Sequence, residues 1–547
     1  MVWLAEVEFS LFLENWVQRA DNRELEVAIM SAVKAGNWVG RAGGANDTPV
    51  EHPGLSGLDE GLLRAVVSGQ GRLTPEQGLE IFHAMPLATL GRWADARARA
   101  LHGDLFRTYV IDRNINYTNV CTARCTFCAF RRDADDHDAY TLSKEQIHEK
   151  IAELTMIGGT QILMQGGMNP NLPLDYYLDL LSSIKERFPH IHIHAFSPPE
   201  LVEFVNFFDP PGATYFEKAL WVLAKLRDAG LNSLPGGGGE IFAPHVRRKI
   251  GLGKCDQTAW LTSMYAAHCL GMYTSATMMF GHIEGYADRV HHMWMVRRWQ
   301  DAAMGRLGSG GVAEWRSGTV SASCGDPERV ATLPLDHFAN SGSPRGHYKS
   351  FISWPFQREN TPLGRVKDWG ARAQDVGEFP GDVCADVRGG GDGSRHPEFG
   401  RRVRMSGSSD YLRTQAISRL MLDNIYSIGA SWVTMGPHVG QVGLMFGASD
   451  MGSVMMEENV VSSAGTTYCL DEAVLCRLIR DAGFIPAQRN NVYDIVRVQV
   501  DANSPDRRVT DWSEHRAQRL HKQAEKPAGG VAELTISAGS AGSATAR

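Results

Sequence analysis

Val110-Ile111-Asp112-Arg113-Asn114-Ile115-Asn116-Tyr117-Thr118-Asn119-Val120-Cys121-Thr122-Ala123-Arg124-Cys125-Thr126-Phe127-Cys128-Ala129-Phe130 begins as a strand-like apolar run and breaks into a loop that holds three cysteines in eight residues. The spacing C-x3-C-x2-C is too tight for a disulfide framework and reads as a metal site. Three thiolates can hold three irons of a 4Fe-4S cubane and leave the fourth without a protein ligand, whereas electron-carrying clusters take four cysteines. An iron left open in this way can bind a substrate. The competing reading is zinc, which would want a fourth cysteine or histidine nearby. The next cysteine is Cys255, and the nearest histidine, His137, sits in an acidic loop. The other six cysteines, among them Cys269, Cys469 and Cys476, lie in helical or apolar surroundings and read as packing residues.

Outward from this loop, apolar strand-like runs alternate with amphipathic helical patterns from about residue 58 to 363 and again from 409 to 496, which is the pattern of βα units around a parallel sheet. Strands are expected at Val110–Ile115, Gln161–Met164, Ile191–Ala195, Leu231–Leu234, Tyr273–Met279, Ser350–Trp354 and Ala430–Thr434. Ser143, three residues before Gln146, forms a capping box that starts a helix with Ile147, Ile151 and Leu154 on one face. Further helices are expected over Leu174–Phe188 and Tyr411–Ile425. The fold class is α/β, a full or partial (β/α) barrel, with functional loops at the carboxyl ends of its strands.

The barrel domain spans 58–499, after an N-terminal extension of 1–57 and before a polar, small-residue tail of 500–547 that is expected to be disordered. Two stretches of about 305–347 and 367–408 are rich in Gly, Ser, Asp and Arg and have no period. Such long irregular segments are uncommon inside a compact domain. They are either lids or artefacts of how the gene was translated.

The formal net charge of -7 over 547 residues supplies no basic field for nucleic acid. There is no apolar run of about 18 residues, and the opening MVWLAEVEFSLFLENW carries acids where a signal peptide needs a basic region. Neither nucleic-acid binding nor membrane insertion is expected. A small-molecule substrate and a reducing, cytoplasmic compartment fit better.

Chemistry-bearing residues gather at the expected strand ends. Gln165-Gly166-Gly167 follows the second strand, either as a turn or as a close approach of backbone to a ligand. His192 and His194 alternate onto one side of the third strand, facing either the chamber or the helix layer, and Ser197 follows. Leu234-Pro235-Gly236-Gly237-Gly238-Gly239-Glu240 lacks the lysine of a phosphate loop but places a carboxylate beside exposed backbone. Arg247 and Arg248 after it are able to pair with a carboxylate. His282 and Glu284 end the fifth strand. The stretch Trp354-Pro355-Phe356-Gln357-Arg358-Glu359-Asn360 reads as packed rings or as a nucleoside-binding wall. Asp450, Glu457, Glu458 and Asn459 read as ribose ligands, as barrel closure, or as caps and surface charge. No G-x-S-x-G elbow or H-E-x-x-H motif is present.

Taken in order, these pieces resemble radical S-adenosylmethionine (SAM) enzymes, and within them the cyclic dehypoxanthinyl futalosine synthases (dehypoxanthine futalosine cyclases) of the alternative menaquinone pathway. The carrying stretches include INYTNVCTARCTFCAF, GGTQILMQGGMNPNLPLDYYLDLL, IKERFPHIHIHAFSPPE, LNSLPGGGGEI, FISWPFQRENTPL, SWVTMGPHVGQ and MEENVVSSAGT, and the regions they mark span roughly two-thirds of the chain. The departures are the irregular segments, a short insertion around FFDPPGATYFE, and Gly239 where relatives usually carry Ala.

The resemblance implies that Cys121, Cys125 and Cys128 bind a 4Fe-4S cluster whose open iron chelates SAM. It also implies that Phe127 lies against the adenine and that the backbone of Gly166 and Gly167, next to Gln165, meets the SAM amino group. Ser197 and Glu240 are cofactor or substrate contacts. The implied reaction is hydrogen abstraction from ribose C4' of dehypoxanthine futalosine by a 5'-deoxyadenosyl radical, closure onto the benzoate ring, and loss of an electron and a proton. His194, Glu240, His282 and Glu284 are the candidate bases, and a flavodoxin or ferredoxin is the expected reductant. Aminofutalosine synthase and FO synthase share the cluster motif and barrel and are the nearest alternatives. A non-catalytic iron-sulfur or zinc protein is the alternative of another class.

Overall fold

The computed structural model describes residues 60–306, 346–365 and 406–505, apart from 252 and 467. The 1–57 extension, almost all of the two irregular segments and the tail beyond 505 therefore lie outside the described residues. Among the described residues three helices come first: α1 (Glu60–Ser68), α2 (Pro75–Ala84) and α3 (Leu87–His102). The alternation then runs β1 (Phe106–Val110), β2 (Asp112–Ile115), α4 (Lys144–Met156), β3 (Gln161–Met164), α5 (Leu174–Arg187), β4 (His192–Ala195), α6 (Pro198–Phe208), α7 (Tyr215–Asp228) and β5 (Ser233–Leu234). It continues through α8 (Pro244–Ile250), α9 (Gln257–Cys269), β6 (Tyr273–Phe280), α10 (Tyr286–Ala303), β7 (Tyr348–Pro355), α11 (Ser408–Met421) and β8 (Ser427–Gly429). Last come α12 (Trp432–Met435), α13 (Pro437–Gly443), β9 (Asp450–Ser453), α14 (Val460–Ser463), α15 (Glu472–Asp481), β10 (Ile485–Arg489) and β11 (Ile495–Val498).

Among the described residues the strands form one sheet in the order β11-β10-β1-β9-β8-β7-β6-β5-β4-β3-β2. Its ends explain its shape. β1 and β2 are separated by Ile111 alone, yet β1 pairs with β9 and β10 while β2 pairs with β3. One bent stretch of chain thus stands at both ends of the series from β1 through β9 and back along β3, so the sheet curls round on itself. All pairings are parallel except β10 with β11. The seam is sealed by polar contacts: Arg113 Nε donates to Glu457 Oε2 (2.8 Å), Lys150 Nζ to the same oxygen (2.8 Å), and Asn114 Nδ2 to Glu458 Oε2 (2.8 Å). Closure is therefore the role in which Glu457 and Glu458 are found. Glu458 also lines the interior.

The capping box at Ser143 and Gln146 forms as expected, and Ile147, Ile151 and Leu154 are fully buried beneath it. The FFDPPGATYFE stretch is the connection from α6 to α7, where Thr214 and Glu217 make another capping box. Four expectations shift. The strand placed at Leu231–Leu234 is only Ser233–Leu234. The first strand is longer and broken at Ile111, and the helix placed at Tyr411–Ile425 runs from Ser408 to Met421. Ala430–Thr434 is not a strand: β8 ends at Gly429, and Trp432–Met435 is helical. A short apolar run of this length cannot be assigned to strand or helix by periodicity alone.

The other end of the barrel is stoppered by the turn between β10 and β11. Arg489 makes a two-pronged pair with Asp450 (2.5 and 3.0 Å), and its guanidinium lies 4.0 Å from the centroid of Tyr493. Asn491 Nδ2 reaches Ser233 Oγ at 2.7 Å and His192 Nε2 at 2.9 Å.

Candidate active site

A chamber of about 470 Å³ runs through the barrel from the cysteine loop to this floor. Cys121, Cys125 and Cys128 all line it. Their loop is pinned from three sides: Thr122 N–H donates to Met168 O (3.0 Å), Thr126 N–H to Ile250 O (2.8 Å), and Leu363 N–H to Thr126 O (2.7 Å). Burial raises the Cys121 thiol above its ordinary pKa and pushes Cys125 up to about 12, with Lys254 pulling the other way. Cys255, the next in sequence, is engaged elsewhere, by the Arg247 guanidinium at 3.7 Å. Among the described residues no three His, Cys, Asp or Glu side chains converge tightly enough for a single metal ion. Three thiols on one chamber wall with no fourth partner suit a cubane corner set better than a tetrahedral zinc site.

The residues singled out in the sequence fall into two groups. Phe127, Gln165, Gly166, Gly167, His194, Ser197 and Glu240 line the chamber with the cysteines. Gly166 N–H donates to Glu200 Oε1 (3.0 Å) and Gly167 N–H to Thr118 O (2.9 Å), so their carbonyls are what remains to face a ligand. Gly167 has a second reason to be glycine: a Cβ there would stand 2.6 Å from Val120 C and 2.9 Å from Cys121 Cβ, against the backbone that leads into the cluster loop. Glu240 pairs with Lys254 Nζ at 2.7 Å, and that ammonium lies 4.9 Å from the Phe127 ring centroid. Glu240 on the chamber wall (φ 41°) and Phe196 (φ 59°), next to the wall residue Ser197, adopt left-handed backbone, a strain that is found at binding sites.

His194 turns inward. Its Nδ1 meets Ser233 Oγ at 2.6 Å, which leaves Nε2 as the remaining ring nitrogen, and burial lowers its pKa to about 3, so the ring is neutral at pH 7. His192, on the same side, reaches the same hydroxyl at 2.7 Å.

His282 and Glu284 form the second group. Both are fully buried and neither lines the chamber. Glu284 accepts from Gly281 N–H (2.5 Å), His282 N–H (3.0 Å) and Arg289 Nε (2.9 Å), and Arg289 goes on to Asp410 (2.8 Å). Among the described residues Arg247 pairs with no carboxylate: it donates to the carbonyls of Gly239, Gly238 and Cys255, each at 2.8 Å, and so braces the glycine loop.

Sequence reasoning passed over Glu200. It accepts from Tyr117 Oη (2.7 Å), Gly166 N–H (3.0 Å) and Ser197 N–H (2.8 Å), which ties the ends of β2, β3 and β4 together, and burial raises its pKa. The S-x-x-E spacing from Ser197 was its available signal. Trp354, Pro355, Phe356 and Gln357 also line the chamber.

Comparison with known proteins agrees with this geometry. The sequence profile of the Radical SAM superfamily matches residues 115–295, which begin at the last residue of β2 and hold all three cysteines. The profile of the CofH/MqnC C-terminal region matches residues 397–502. The chain is 35% identical over 448 residues, 82% of its length and 98% of the relative's, to the cyclic dehypoxanthine futalosine synthase of Halalkalibacterium halodurans. The chain belongs to the radical SAM superfamily. Radical SAM enzymes use a 4Fe-4S cluster and S-adenosylmethionine, and the cysteine trio is the set that would hold that cluster here. This radical SAM enzyme is also 32% identical over 445 residues (81% of the chain, 94% of the relative) to the 5-amino-6-(D-ribitylamino)uracil–L-tyrosine 4-hydroxyphenyl transferase of Methanopyrus kandleri. It is 32% identical over 440 residues (80% and 95%) to the aminodeoxyfutalosine synthase of Thermus thermophilus. Among the described residues no helix is long and apolar enough to cross a membrane.

Proposed function

We propose that this radical SAM enzyme is a cyclic dehypoxanthine futalosine synthase, which closes dehypoxanthine futalosine into a spiro-cyclic product. The observation that carries the reading is the match along 98% of a relative of that name. It is supported by where the matching stretches sit: SWVTMGPHVGQ contributes Ser431 to Thr434 to the chamber wall, and MEENVV contributes Glu458, Val460 and Val461.

When bound, the cluster and SAM supply a 5'-deoxyadenosyl radical for hydrogen abstraction. The protein's share is to position ribose C4' and exclude water. Phe127, the Gly166–Gly167 backbone, Ser197 and the Glu240–Lys254 pair are assigned to the cofactor end of the chamber. Trp354 to Gln357 form a wall for the nucleoside-derived substrate. The ring closure ends with loss of a proton, and His194 is the favoured acceptor because it is neutral and lines the chamber, with Glu240 second. Glu284, ion-paired with Arg289 outside the chamber, and His282, buried beside it, are assigned to structure. A flavodoxin or ferredoxin is the proposed reductant.

The relatives of similar identity set the competing readings, so the test is anaerobic turnover of reconstituted enzyme with SAM and dithionite. Dehypoxanthine futalosine is one substrate, and tyrosine with 5-amino-6-(D-ribitylamino)uracil the other. The proposal expects 5'-deoxyadenosine and a cyclised product from the first alone. A tyrosine-derived product, or no 5'-deoxyadenosine with either, overturns it.

A further inference from the structure

Lys349 occupies an unusual place in β7. The ladder between β6 and β7 pairs Thr274 with Tyr348 and then Ser275 with Ser350, so Lys349 is the extra residue of a β-bulge. Bulges re-aim side chains. Here the result is that Tyr348 turns outward, its ring 4.8 Å from His268 on α9, while Lys349 and Ser350 both line the chamber. Alternation would allow only one of the two neighbours to face inward.

The ammonium that the bulge delivers has an aromatic neighbour and no anion in contact. Its Nζ lies 4.3 Å from the centroid of Tyr273, and among the described residues no carboxylate oxygen comes within 4.0 Å of it. The other cations on the wall are matched: Arg489 by Asp450, Lys254 by Glu240 and Arg131 by Asp133. Burial lowers the Lys349 pKa, and Asp494, the nearest counter-charge, only partly offsets this. A half-buried ammonium of this kind is stabilised when an anion enters beside it. Tyr273 and Tyr493 flank the place, and Ser350 supplies a hydroxyl.

We infer that Lys349 is the anchor for an aryl carboxylate: its ammonium pairs with the carboxylate of the substrate's benzoate ring and so distinguishes acidic from neutral aryl substrates. This rests on the cyclase reading above. The placement agrees with it. The barrel strands run the same way, so the cysteines after β2 and Lys349 near the start of β7 stand at opposite ends of the chamber, roughly 20 Å of strand apart. A substrate whose ribose meets the cofactor end carries its aryl acid toward the other.

The test measures binding rather than turnover, using reconstituted enzyme with SAM but no reductant. Two ligands are titrated: dehypoxanthine futalosine and its carboxamide analogue. Wild-type enzyme is expected to prefer the acid, and Lys349→Gln to weaken the acid by about tenfold to a hundredfold while changing the carboxamide by no more than about twofold. Lys349→Arg keeps the charge and is expected to keep the preference. Equal loss of both ligands in Lys349→Gln, unchanged acid binding there, or loss of preference in Lys349→Arg overturns the assignment. These outcomes leave the cyclase reading standing if wild-type enzyme binds and converts dehypoxanthine futalosine. Failure of wild-type enzyme to bind either ligand removes both.

Discussion

Replacing Gly167 by alanine adds a single methyl group where the backbone entering the cluster loop has no room for it. The new Cβ would sit 2.6 Å from Val120 C and 2.9 Å from Cys121 Cβ. Comfortable carbon–carbon contact begins near 3.5 Å, so one of the two backbones must retreat by about 1 Å. Neither can do so cheaply. Gly167 N–H is held by Thr118 O at 2.9 Å, and Thr122 N–H is held by Met168 O at 3.0 Å, so the β3 loop and the cysteine loop are laced together on both sides of the clash. Overpacking of this kind costs about 1–3 kcal/mol. The functional cost should be larger, because a displacement of about 1 Å in a reacting group can lower rate by about a hundredfold. The assay is iron and sulfide content after anaerobic reconstitution, followed by 5'-deoxyadenosine release under dithionite. Gly443→Ala is the matched control: its Cβ meets Ala430 Cβ at 3.7 Å, an ordinary contact, and it should behave as wild type. If Gly167→Ala assembles a full cluster and releases 5'-deoxyadenosine within about twofold of wild type, the packing argument is wrong.

Three further outcomes are expected. Removing Arg289 strands the buried carboxylates of Glu284 and Asp410, so Arg289→Met should cost about 3–5 kcal/mol in denaturant unfolding; Glu284→Gln should likewise lower stability rather than selectively stop product formation. His194→Gln should uncouple the reaction, with 5'-deoxyadenosine still released but cyclised product reduced about a hundredfold, as read by chromatography of single turnovers. Burial lowers the His268 pKa to about 3, so between that value and the ordinary one near 6.5 only the unfolded chain takes up its proton. Acidification through this window should destabilise the fold by about 1.4 kcal/mol per pH unit on account of this residue, and His268→Gln should flatten the measured slope by that amount.

The sequence was informative wherever one physical signal dominated. The Ser143–Gln146 capping box, β3 at Gln161–Met164 and the start of α5 at Leu174 fall where propensity, pattern and turn chemistry agree. The cysteine loop was legible because few chemistries use that spacing, whereas the Gly166–Gly167 pair reads equally as a turn until its place on the chamber wall is seen. β9 was not, because Asp-Met-Gly-Ser has no strand propensity and is made a strand by Gly429 and Thr108 on either side. The surroundings of His282 and Glu284 could not be read from sequence, because a histidine and a carboxylate at a strand end are ambiguous until Arg289, five residues on, is seen to hold the carboxylate. Lys349 carried no signal at all: its inward turn comes from a bulge, and a register shift between β6 and β7 is invisible in either strand alone.

The stopper at the barrel floor has a consequence for how the enzyme is made. The nest for the metal centre draws on segments from Cys121 to Leu363, and Arg489, Asn491 and Tyr493, which plug the opposite end, come later still in the described chain. Until they arrive, the nascent barrel is a tube open at its base. A barrel without this plug would admit water at its floor, so the turn between β10 and β11 is what makes the vessel able to confine a free radical.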